Sequence, residues 1–449
     1  MFMNARDPLF LAQWSDGSYA PFTGGTVNIL PMCDNAEGGS QKSDTYRASL
    51  AAALTYSPWK WLTIEGTLAP RITFNHSKTF KDKVTYHSDQ YGTVSPISNR
   101  DYNELTDENT TTIYGNYLLT VKYHQKFAAA HDLTFLAGTS YETMDQQSVS
   151  AFRRDYAWPE YQTINAGANN EYKDNSGARY QWALASFFGR LNYNYKERYL
   201  VEANVRFDGS SRFAKGHQWG IFPSVSAAWR ITEENFMVSV KDILSEMKIR
   251  ASYGQLGNQN IGSDYYPTIQ TLTISSISAA DIIYPIVGLN NLANTDITWE
   301  TTEMADAGID LALWNKLKVT ADAYYKRTTG VLMKLDIPST IGLSSPYQNA
   351  GVVRNIGWEL SVGYSDSFGD FSFGVDANVS DVYNKIVDMK GTASGSLLRN
   401  EEGYPINSIY GLRCIGMARS EEEADYVNAN CPQYNTTTYP GDLIYEDVA

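Results

Sequence analysis

The residues from Tyr199 to Asp208 alternate between two kinds of side chain. The odd-numbered positions are all apolar: Tyr199, Val201, Ala203, Val205 and Phe207. The even-numbered positions are mostly polar or charged: Leu200, Glu202, Asn204, Arg206 and Asp208. Because successive side chains of a β-strand point to opposite faces, this pattern predicts a strand with one apolar and one polar face. The apolar face must lie against either a protein core or lipid.

The same test predicts about a dozen strands along the chain, many of them roughly 9 to 14 residues long, whereas strands of soluble proteins usually have about five or six. The clearest alternations, besides the first, are Ile113–Tyr123, Phe187–Tyr195, Ile221–Ile231, Leu317–Tyr325 and Phe371–Val379. Less regular candidates are Tyr46–Tyr56, Leu62–Phe74, Leu133–Gln146, Lys248–Leu256, Trp299–Leu313, Ile356–Tyr364 and Ile409–Met417. We therefore expect an all-β, antiparallel fold.

The connections between these strands alternate in length. Short ones are SPWK (57–60), FAAAHD (127–132), KER (196–198), WNK (314–316) and DSFGD (366–370), and the long polar ones are 75–109, 147–179, 257–297 and 327–355. Outer-membrane β-barrels have this arrangement, with short turns in the periplasm and long loops outside the cell. The pattern predicts a transmembrane barrel with the KER turn in the periplasm and the 257–297 loop outside.

Aromatic residues support a membrane location. The chain contains 32 Tyr, 17 Phe and 10 Trp. Tyr199 and Phe207 are separated by about 26 Å along a strand, which at a tilt of about 40° covers roughly 20 Å of depth, close to the apolar band of such barrels. A half-exposed soluble sheet would give the same alternation, so this alternative stays open.

Composition and motifs exclude several function classes. The net charge of -14 argues against a nucleic-acid partner. No apolar run approaches the roughly 18 residues of a membrane-spanning helix, and the N-terminus lacks the features of a signal peptide. The chain has no G-x-S-x-G, H-E-x-x-H, P-loop or dinucleotide-binding motif, and its five histidines are scattered. We do not expect an enzyme.

Candidate binding residues lie in the predicted loops. Asp208 and Arg212, in the run DGSSRF, have groups that hydrogen-bond a polar ligand at a barrel mouth, but Asp208 and Gly209 also favour a tight turn, and we prefer this structural role. Four loop aromatics are candidates for stacking on a glycan or for contact with a partner: Trp158, Tyr161, Tyr265 and Tyr266.

The C-terminal region has three further candidates. Asp442, Glu446 and Asp447 are an acidic set that would begin a Ca²⁺ loop if a glycine-rich half followed, although we otherwise expect no cofactor or metal. Cys414 and Cys431 are a possible disulfide in an oxidising compartment. Ser420 and Glu423 form a capping box that predicts a helix over Glu421–Asn428, and a helical turn fits Glu233–Phe236.

Several segments resemble the SusC/RagA family of TonB-dependent outer-membrane transporters. They include FGRLNYNYKERYLVEANVRFDGSSRFAKGHQWGIFPSVSAAWRITEENFM (188–237), KIRASYGQLGNQNIG (248–262), AGIDLALWNKLKVTADAYYKRTTGVL (307–332), NAGVVRNIGWEL (349–360) and YPGDLIYED (439–447). The resemblance implies import of nutrients, either oligosaccharides or peptides, across the outer membrane through TonB. It also implies a SusD-like surface lipoprotein as partner.

The resemblance leads to an expected domain organisation. The family has an N-terminal plug domain and a TonB-contacting segment, and its barrel has about 22 strands. Neither N-terminal part is visible here, so we expect a linker at 1–45 and a barrel at 46–449 that is incomplete at its C-terminus. Two alternatives remain: a non-transporting barrel that acts as a surface adhesin, and a secreted β-rich glycan-binding or enzyme module.

Overall fold

The computed structural model describes residues 11–21, 28, 30–33, 38–94, 101–128, 130–262, 265–279, 282–289, 291–335, 337–395, 397–431 and 437–446. Within these ranges, no helix is long and apolar enough to cross a membrane. The secondary structure is dominated by β-strands, as the alternation predicts.

Twenty strands and one α-helix form the described part of the chain. The strands are β1 (Gly39–Ser49), β2 (Ala52–Trp59), β3 (Leu62–Leu68), β4 (Arg71–Lys81), β5 (Glu104–Phe127), β6 (His131–Arg154), β7 (Asp174–Tyr195), β8 (Tyr199–Ser210), β9 (Trp219–Arg230), β10 (Leu244–Asn258), β11 (Leu272–Ala279), β12 (Ile282–Leu289), β13 (Glu300–Leu313), β14 (Leu317–Lys334), β15 (Tyr347–Phe368), β16 (Phe371–Asp388), β17 (Leu398–Arg399), β18 (Ser408–Ile409), β19 (Cys414–Met417) and β20 (Leu443–Tyr445). The helix is α1 (Glu421–Asn430), and short 3₁₀ turns occur at Pro31–Cys33, Ile164–Ala166, Ile231–Glu233, Asn235–Val240 and Ser339–Ile341.

Fourteen of the strands form one antiparallel sheet in which most neighbours in the sheet are also neighbours in the chain. Its order is β1-β4-β5-β6-β7-β8-β9-β10-β13-β14-β15-β16, with β2 paired to β3 and β3 also paired to β5. Among the described strands, β1 and β2 lie at one edge of this sheet and β16 lies at the other. The fold is therefore a partial, up-and-down β-barrel, which confirms the predicted fold class.

The apolar face of the sheet is left open by the described parts of the chain. In β8, Tyr199, Val201 and Phe207 keep 44%, 44% and 41% of their surface exposed, and Val225 of β9 keeps 48%. The polar residues between them are the less exposed ones. An apolar face that is open while the polar face is partly covered is the inverse of a soluble sheet, and it identifies the apolar face as the lipid-facing side. We call it the outer face, and the other the inner face.

Two rows of aromatic and aliphatic residues border the outer face, and the strand register aligns them. Tyr195, Tyr199 and Trp229 are directly paired at one end of β7, β8 and β9, while Phe187, Phe207 and Ile221 are paired eight residues further along. The Tyr195–Tyr199 and Tyr199–Trp229 ring centroids are each 6.3 Å apart. These rows match the interfacial girdles of membrane barrels. We call the row at Tyr199 the lower girdle.

Short turns lie at the lower girdle, as predicted. In the KER turn, Lys196 and Glu197 have φ of 53° and 57°, and the Arg198 amide donates to the Tyr195 carbonyl at 2.9 Å. Trp314 and Asn315 of the WNK turn have the same conformation. Two consecutive positive φ values define the type I′ turn, whose twist matches that of a two-stranded ribbon.

Many strands extend further than their sequence pattern predicts. The strand predicted at Ile113–Tyr123 is β5, which runs from Glu104 to Phe127, and β6 and β7 extend into the predicted loop 147–179. The added residues are mostly polar and lie at the end opposite the short turns. Above the lipid both faces meet water, so no apolar alternation marks these parts of the strands.

Two predicted strands are interrupted. Tyr46–Tyr56 spans β1 and β2, and Leu62–Phe74 spans β3 and β4. Pro70 lies at the break and has no N–H to donate, although its carbonyl accepts from the Leu50 amide at 3.0 Å. The pairings Ser49–Arg71 and Ala52–Leu68 have the same register on both sides of the break. Each predicted strand therefore continues along one line as two shorter strands.

A small unit follows the main sheet at the C-terminal end. It consists of α1 and the β19–β20 pair. The Ser420 hydroxyl caps α1 by accepting from the Glu423 amide at 3.2 Å, and the Glu423 carboxylate accepts from the Arg419 amide at 2.7 Å. The Ser420 half of the predicted capping box is therefore confirmed. The Glu423 carboxylate, however, accepts from the amide of Arg419 and not from that of the N-cap residue Ser420, as the motif requires.

Candidate functional site

The structure brings some of the predicted binding residues together and separates others. Arg212, Tyr265 and Tyr266 meet at the end of the sheet opposite the lower girdle, next to β7. Trp158 and Tyr161 lie in the loop between β6 and β7, with 64% and 63% of their surface exposed, and no described contact joins them to this group. Arg212, Tyr265 and Tyr266 therefore line the wall, whereas Trp158 and Tyr161 lie in a separate loop.

Asp208 has a structural role, but not the predicted one. It lies within β8, which continues to Ser210, so Asp208 and Gly209 do not form the loop turn. The Arg206 Nε donates to both Asp208 carboxylate oxygens at 2.7 and 2.9 Å. Gly209 is needed for a different reason: a Cβ there would lie 2.8 Å from the Trp219 ring. The strand therefore extends through DGS, and the loop begins at Ser211.

Arg212 is packed among aromatic rings on the inner face. Only 7% of its surface is exposed. Its guanidinium carbon lies 4.8 Å from the Tyr265 ring centroid and 5.8 Å from that of Trp182. The Tyr265 ring is 5.1 Å from Tyr180, and the Tyr266 hydroxyl accepts from the Gln181 amide at 3.0 Å. Cation–π contacts of this kind hold the loop that carries Tyr265 against the wall.

These rings continue along the wall as a transverse row. Arg71, Tyr114, Met144 and Trp182 are directly paired across β4, β5, β6 and β7, so their side chains share the inner face. The Tyr114 and Trp182 centroids are 6.4 Å apart, and the Arg71 guanidinium lies 4.9 Å from the Tyr114 centroid. The Tyr114 hydroxyl donates to Glu142 Oε2 at 2.7 Å. We call the group of Arg71, Tyr114, Trp182, Tyr180, Tyr265 and Arg212 the aromatic row.

The sequence contained a partial signal for this row. Arg71 and Tyr114 lie in predicted strands, on the side opposite the apolar residues Ile72 and Ile113. The parity test therefore assigned both residues to the polar face but gave no reason to select them. Trp182 lies between a predicted loop and a predicted strand, so it had no assigned face. The long-range pairing of β4 to β7, which the sequence does not show, is what aligns them.

A buried apolar cluster fixes the loops that supply Arg212 and Tyr265. Phe213, Phe222, Ile297 and Trp299 are each at least 92% buried and pack together. The Trp299 indole N–H donates to the Gln218 carbonyl at 2.9 Å. The Ser210 hydroxyl donates to the Gln259 side chain. The cluster, which we call the mouth core, thus joins the 211–218 loop to both ends of the 259–299 connection.

A charged network lies on the inner face of β10, β13 and β14. Arg250 forms two contacts of 2.7 Å with the Asp322 carboxylate and a 3.3 Å contact with Asp310, which Lys248 also approaches at 3.2 Å. Gly308 leaves room for this arrangement, because a Cβ there would lie 2.2 Å from Asp322 Oδ1. Lys248 and Arg250 also line a cavity of about 540 Å³. The wall is therefore polar and charged here.

The C-terminal candidates do not form a site within the described residues. Asp442 Oδ2 accepts from the Tyr439 amide at 2.8 Å, and Glu446 pairs with Arg413 at 3.1 Å. Asp447 lies outside the described residues. No group of three metal-ligating side chains occurs in the part of the chain that the structure describes. The Asp442 side chain therefore stabilises a turn, and the Glu446 side chain forms an ion pair.

The predicted disulfide is absent. No disulfide joins Cys414 to Cys431 in the structure. Cys414 lies in β19, where its Sγ donates to the Gly416 carbonyl at 3.3 Å, whereas Cys431 is the C-terminal cap of α1. The two residues belong to different elements, and their pairing stays a prediction.

Comparisons with known proteins give consistent matches. A family model described as "TonB dependent receptor-like, beta-barrel" matches residues 5–409. TonB-dependent receptor P26 of Formosa agariphila is 28% identical over 439 residues, which cover 93% of this chain and 42% of that protein. TonB-dependent receptor SusC of Bacteroides thetaiotaomicron is 34% identical over 214 residues, covering 46% and 21%.

Solved structures show the same fold. The structure of the RagAB peptide transporter matches with a TM-score of 0.75 and 21% sequence identity, covering 90% of this chain and 44% of that one. The chain spans less than half the length of each of these relatives.

Proposed function

Because the chain belongs to the TonB-dependent receptor-like β-barrel family, we propose that it forms the wall of an importer that takes up oligosaccharides with energy transmitted by TonB. Members of this family are outer-membrane proteins, and this chain is one of them. Its relatives are named as receptors and not as enzymes. The resemblance to SusC noted from the sequence is confirmed by the match to SusC itself.

The observation that carries this proposal is the aromatic row on the inner face. Sites for small ligands combine aromatic surface with a few well-placed polar groups. The row provides both, since the Tyr114 and Trp182 rings lie beside the Arg71 guanidinium and the Glu142 carboxylate. Four neighbouring strands at about 4.8 Å spacing extend the row over roughly 14 Å. An extended chain of sugar rings, with flat apolar faces and hydroxyl edges, fits this surface.

We further propose the partners that the family resemblance implies. A SusD-like lipoprotein would cover the extracellular end, and TonB would act through a plug domain. The β11–β12 hairpin supports a protein partner. It forms a separate two-stranded sheet among the described strands and exposes Leu272, Ile277, Tyr284, Ile286 and Val287. Exposed apolar patches of this kind mark interaction sites.

Growth on defined carbon sources tests the proposed transport. A strain that carries the complete gene with its neighbours is grown on a panel of oligosaccharides, with peptides as a second panel. We expect growth on at least one oligosaccharide to need both this gene and TonB. Trp182→Ala and Tyr114→Ala should slow that growth, while Trp158→Ala, an exposed loop tryptophan outside the row, should not.

Three results would contradict the proposal. Growth only on peptides would assign the row to a peptide substrate, the cargo that the name of the RagAB transporter gives for that protein. Surface attachment that persists without TonB, with no growth phenotype, would favour the adhesin alternative. Equal growth of the Trp182→Ala and Trp158→Ala strains would show that the aromatic row does not contact the substrate. Heat-modifiable migration of each variant verifies that the barrel has folded.

A further inference from the structure

The connection between β9 and β10 exposes an unusual amount of apolar surface. It runs over residues 231–243 and contains the 3₁₀ turns Ile231–Glu233 and Asn235–Val240. Phe236, Val238 and Ile243 keep 67%, 66% and 56% of their surface exposed. The other connections at this end are short turns, so this is the one place along the described lower girdle where a longer segment stands outside the sheet.

Glu234 fixes this connection to the lower girdle. Its carboxylate accepts from the Tyr199 hydroxyl at 2.6 Å and from the Trp229 indole N–H at 3.2 Å, and Arg198 contacts it at 3.0 Å. The hydrogen bond from Tyr199, followed by those from Trp229 and Arg198, lowers the pKa of the Glu234 carboxyl, so it is ionised at neutral pH. Tyr199 and Trp229 both belong to the outer face. The attachment point therefore lies on the lipid side of the wall and not over the lumen.

Several polar side chains of the connection are bound to each other or to the barrel. Lys241 pairs with Glu233 at 3.2 Å, and Arg230 approaches Glu233 at 3.8 Å. Thr232 is 99% buried, and its hydroxyl accepts from the Met247 amide at 3.2 Å. The exposed side chains of the segment are the apolar Phe236, Val238, Val240 and Ile243 and the polar Asn235, Ser239 and Asp242.

The apolar surface continues onto the neighbouring turn. The Ile243 carbonyl accepts from the Trp314 amide at 2.8 Å, and the Trp314 side chain is 53% exposed. Exposed apolar residues of the connection thus lie between two stretches of aromatic girdle, at Trp229 and at Trp314. Amphipathic segments with Trp and Phe on their apolar side are typical of the membrane interface.

We propose that residues 231–243 form an interfacial anchor that inserts Phe236, Val238 and Ile243 into the phospholipid leaflet on the side of the short turns. The occupant is lipid because the segment is continuous with the lipid-facing girdle and is attached to it through Glu234. The anchor extends the contact of the barrel with the membrane beyond the ends of its strands. A soluble periplasmic protein that covers the same residues is the competing occupant.

Spin labelling of the full-length protein tests the anchor. Single cysteines are introduced in a background in which Cys33, Cys414 and Cys431 are replaced by Ser. Phe236→Cys and Val238→Cys report on the anchor, Val201→Cys is the lipid-facing reference, and Asp242→Cys is the matched control on the same connection. Each variant is labelled with a nitroxide and reconstituted into vesicles of phosphatidylethanolamine and phosphatidylglycerol. The relaxation of the label by oxygen, which partitions into lipid, is compared with that by a polar nickel complex.

We expect the ratio of oxygen to nickel relaxation at Phe236 and Val238 to shift from the value at Asp242 towards the value at Val201. A ratio at both positions equal to that at Asp242 would overturn the proposal. Because the vesicles contain no other protein, shielding of the labels that occurs in native outer membranes but not in the vesicles would assign the surface to a protein partner and would also overturn it. All four sites are exposed, and heat-modifiable migration verifies that each labelled barrel is folded.

Discussion

Adjacent residues in one strand of this wall face different solvents. Val225 of β9 lies on the outer face, half exposed and directly paired with Ala203, midway between the two girdles. Ser226, the next residue, lies on the inner face, lines the same charged cavity as Arg250 and is paired with Glu202. A single step along the chain therefore changes the surroundings from hydrocarbon to water.

Arginine substitutions at these two positions measure that difference. Val225→Arg should destabilise the barrel by about 2–4 kcal/mol, the cost of an arginine facing lipid at mid-bilayer. Ser226→Arg should cost much less, because its guanidinium would meet water and the carboxylate of Glu202. Unfolding of the full-length protein by guanidinium in lipid vesicles gives both values. Equal penalties would indicate a packed soluble sheet instead of a membrane wall.

Individual site residues were predictable only where a loop or motif marked them. Arg212 and Tyr265 were selected from the sequence and do lie in the aromatic row. Trp182 was not selected, because its role depends on pairing with strands that are distant in sequence. Asp208 was predicted to lie in a turn, because Asp and Gly favour turns. In the structure Asp208 and Gly209 continue strand β8. Tertiary pairing overrode the local preference in that case.

At the scale of elements, the strands were predicted where lipid imposes an apolar face and were missed where it does not. Phe371–Val379 was recognised, and it is the first half of β16 (Phe371–Asp388). The outer ends of β5, β6 and β7 carry polar residues on both faces, so they were assigned to loops. The strand predicted at Ile409–Met417 is instead divided between β18 and β19. The sequence thus revealed the membrane-spanning part of each strand and not its full length.

The Phe222 ring can pack in the mouth core because the neighbouring residue Gly257 has no side chain. A Cβ at Gly257 would lie 2.0 Å from the Phe222 Cζ. Gly257→Ala should therefore force this ring out of the core and destabilise the extracellular loops by about 1–3 kcal/mol, the usual cost of overpacking. Gly288→Ala is the matched control, because nothing lies within 4 Å of its Cβ position and its φ is not positive.

Limited proteolysis of whole cells measures this effect. The 211–218 and 259–299 segments should be cleaved faster in Gly257→Ala than in the parent protein, with no change in Gly288→Ala. The double variant Gly257→Ala/Phe222→Leu should regain resistance, since the smaller side chain leaves space for the added methyl group. Cleavage rates that do not differ between the two glycine variants would show that the core does not control the loops.

The whole molecule has two chemically distinct ends as well as two faces. Short turns and the lower girdle mark one end, and the mouth core, the aromatic row and the long connections mark the other. The fold class, the up-and-down order and this polarity could all be predicted from alternation and connection length. The curvature that brings Arg71 and Tyr265 to one surface could not, because it results from the pairing of many strands at once.

The polarity predicts which end faces the outside of the cell. Lys215 and Glu197 are exposed residues beyond opposite ends of β8. In a background without native cysteines, Lys215→Cys of the full-length protein should react with a large polyethylene-glycol maleimide on whole cells. Glu197→Cys should react only after the outer membrane is permeabilised. The reverse labelling pattern would mean that the barrel is inserted in the opposite direction.

The register of the girdles also determines the membrane thickness that the protein tolerates. Since Tyr195, Tyr199 and Trp229 are paired across three strands, as are Phe187, Phe207 and Ile221, no single strand can slide to accommodate a thicker bilayer without breaking its ladder of hydrogen bonds. The apolar height, roughly 20 Å for a tilt of about 40°, is therefore a fixed property of the sheet. In a thicker membrane the lipid must deform around the protein, at a cost that rises with every ångström of mismatch. Hydrophobic matching thus favours the thin outer membrane over other bilayers.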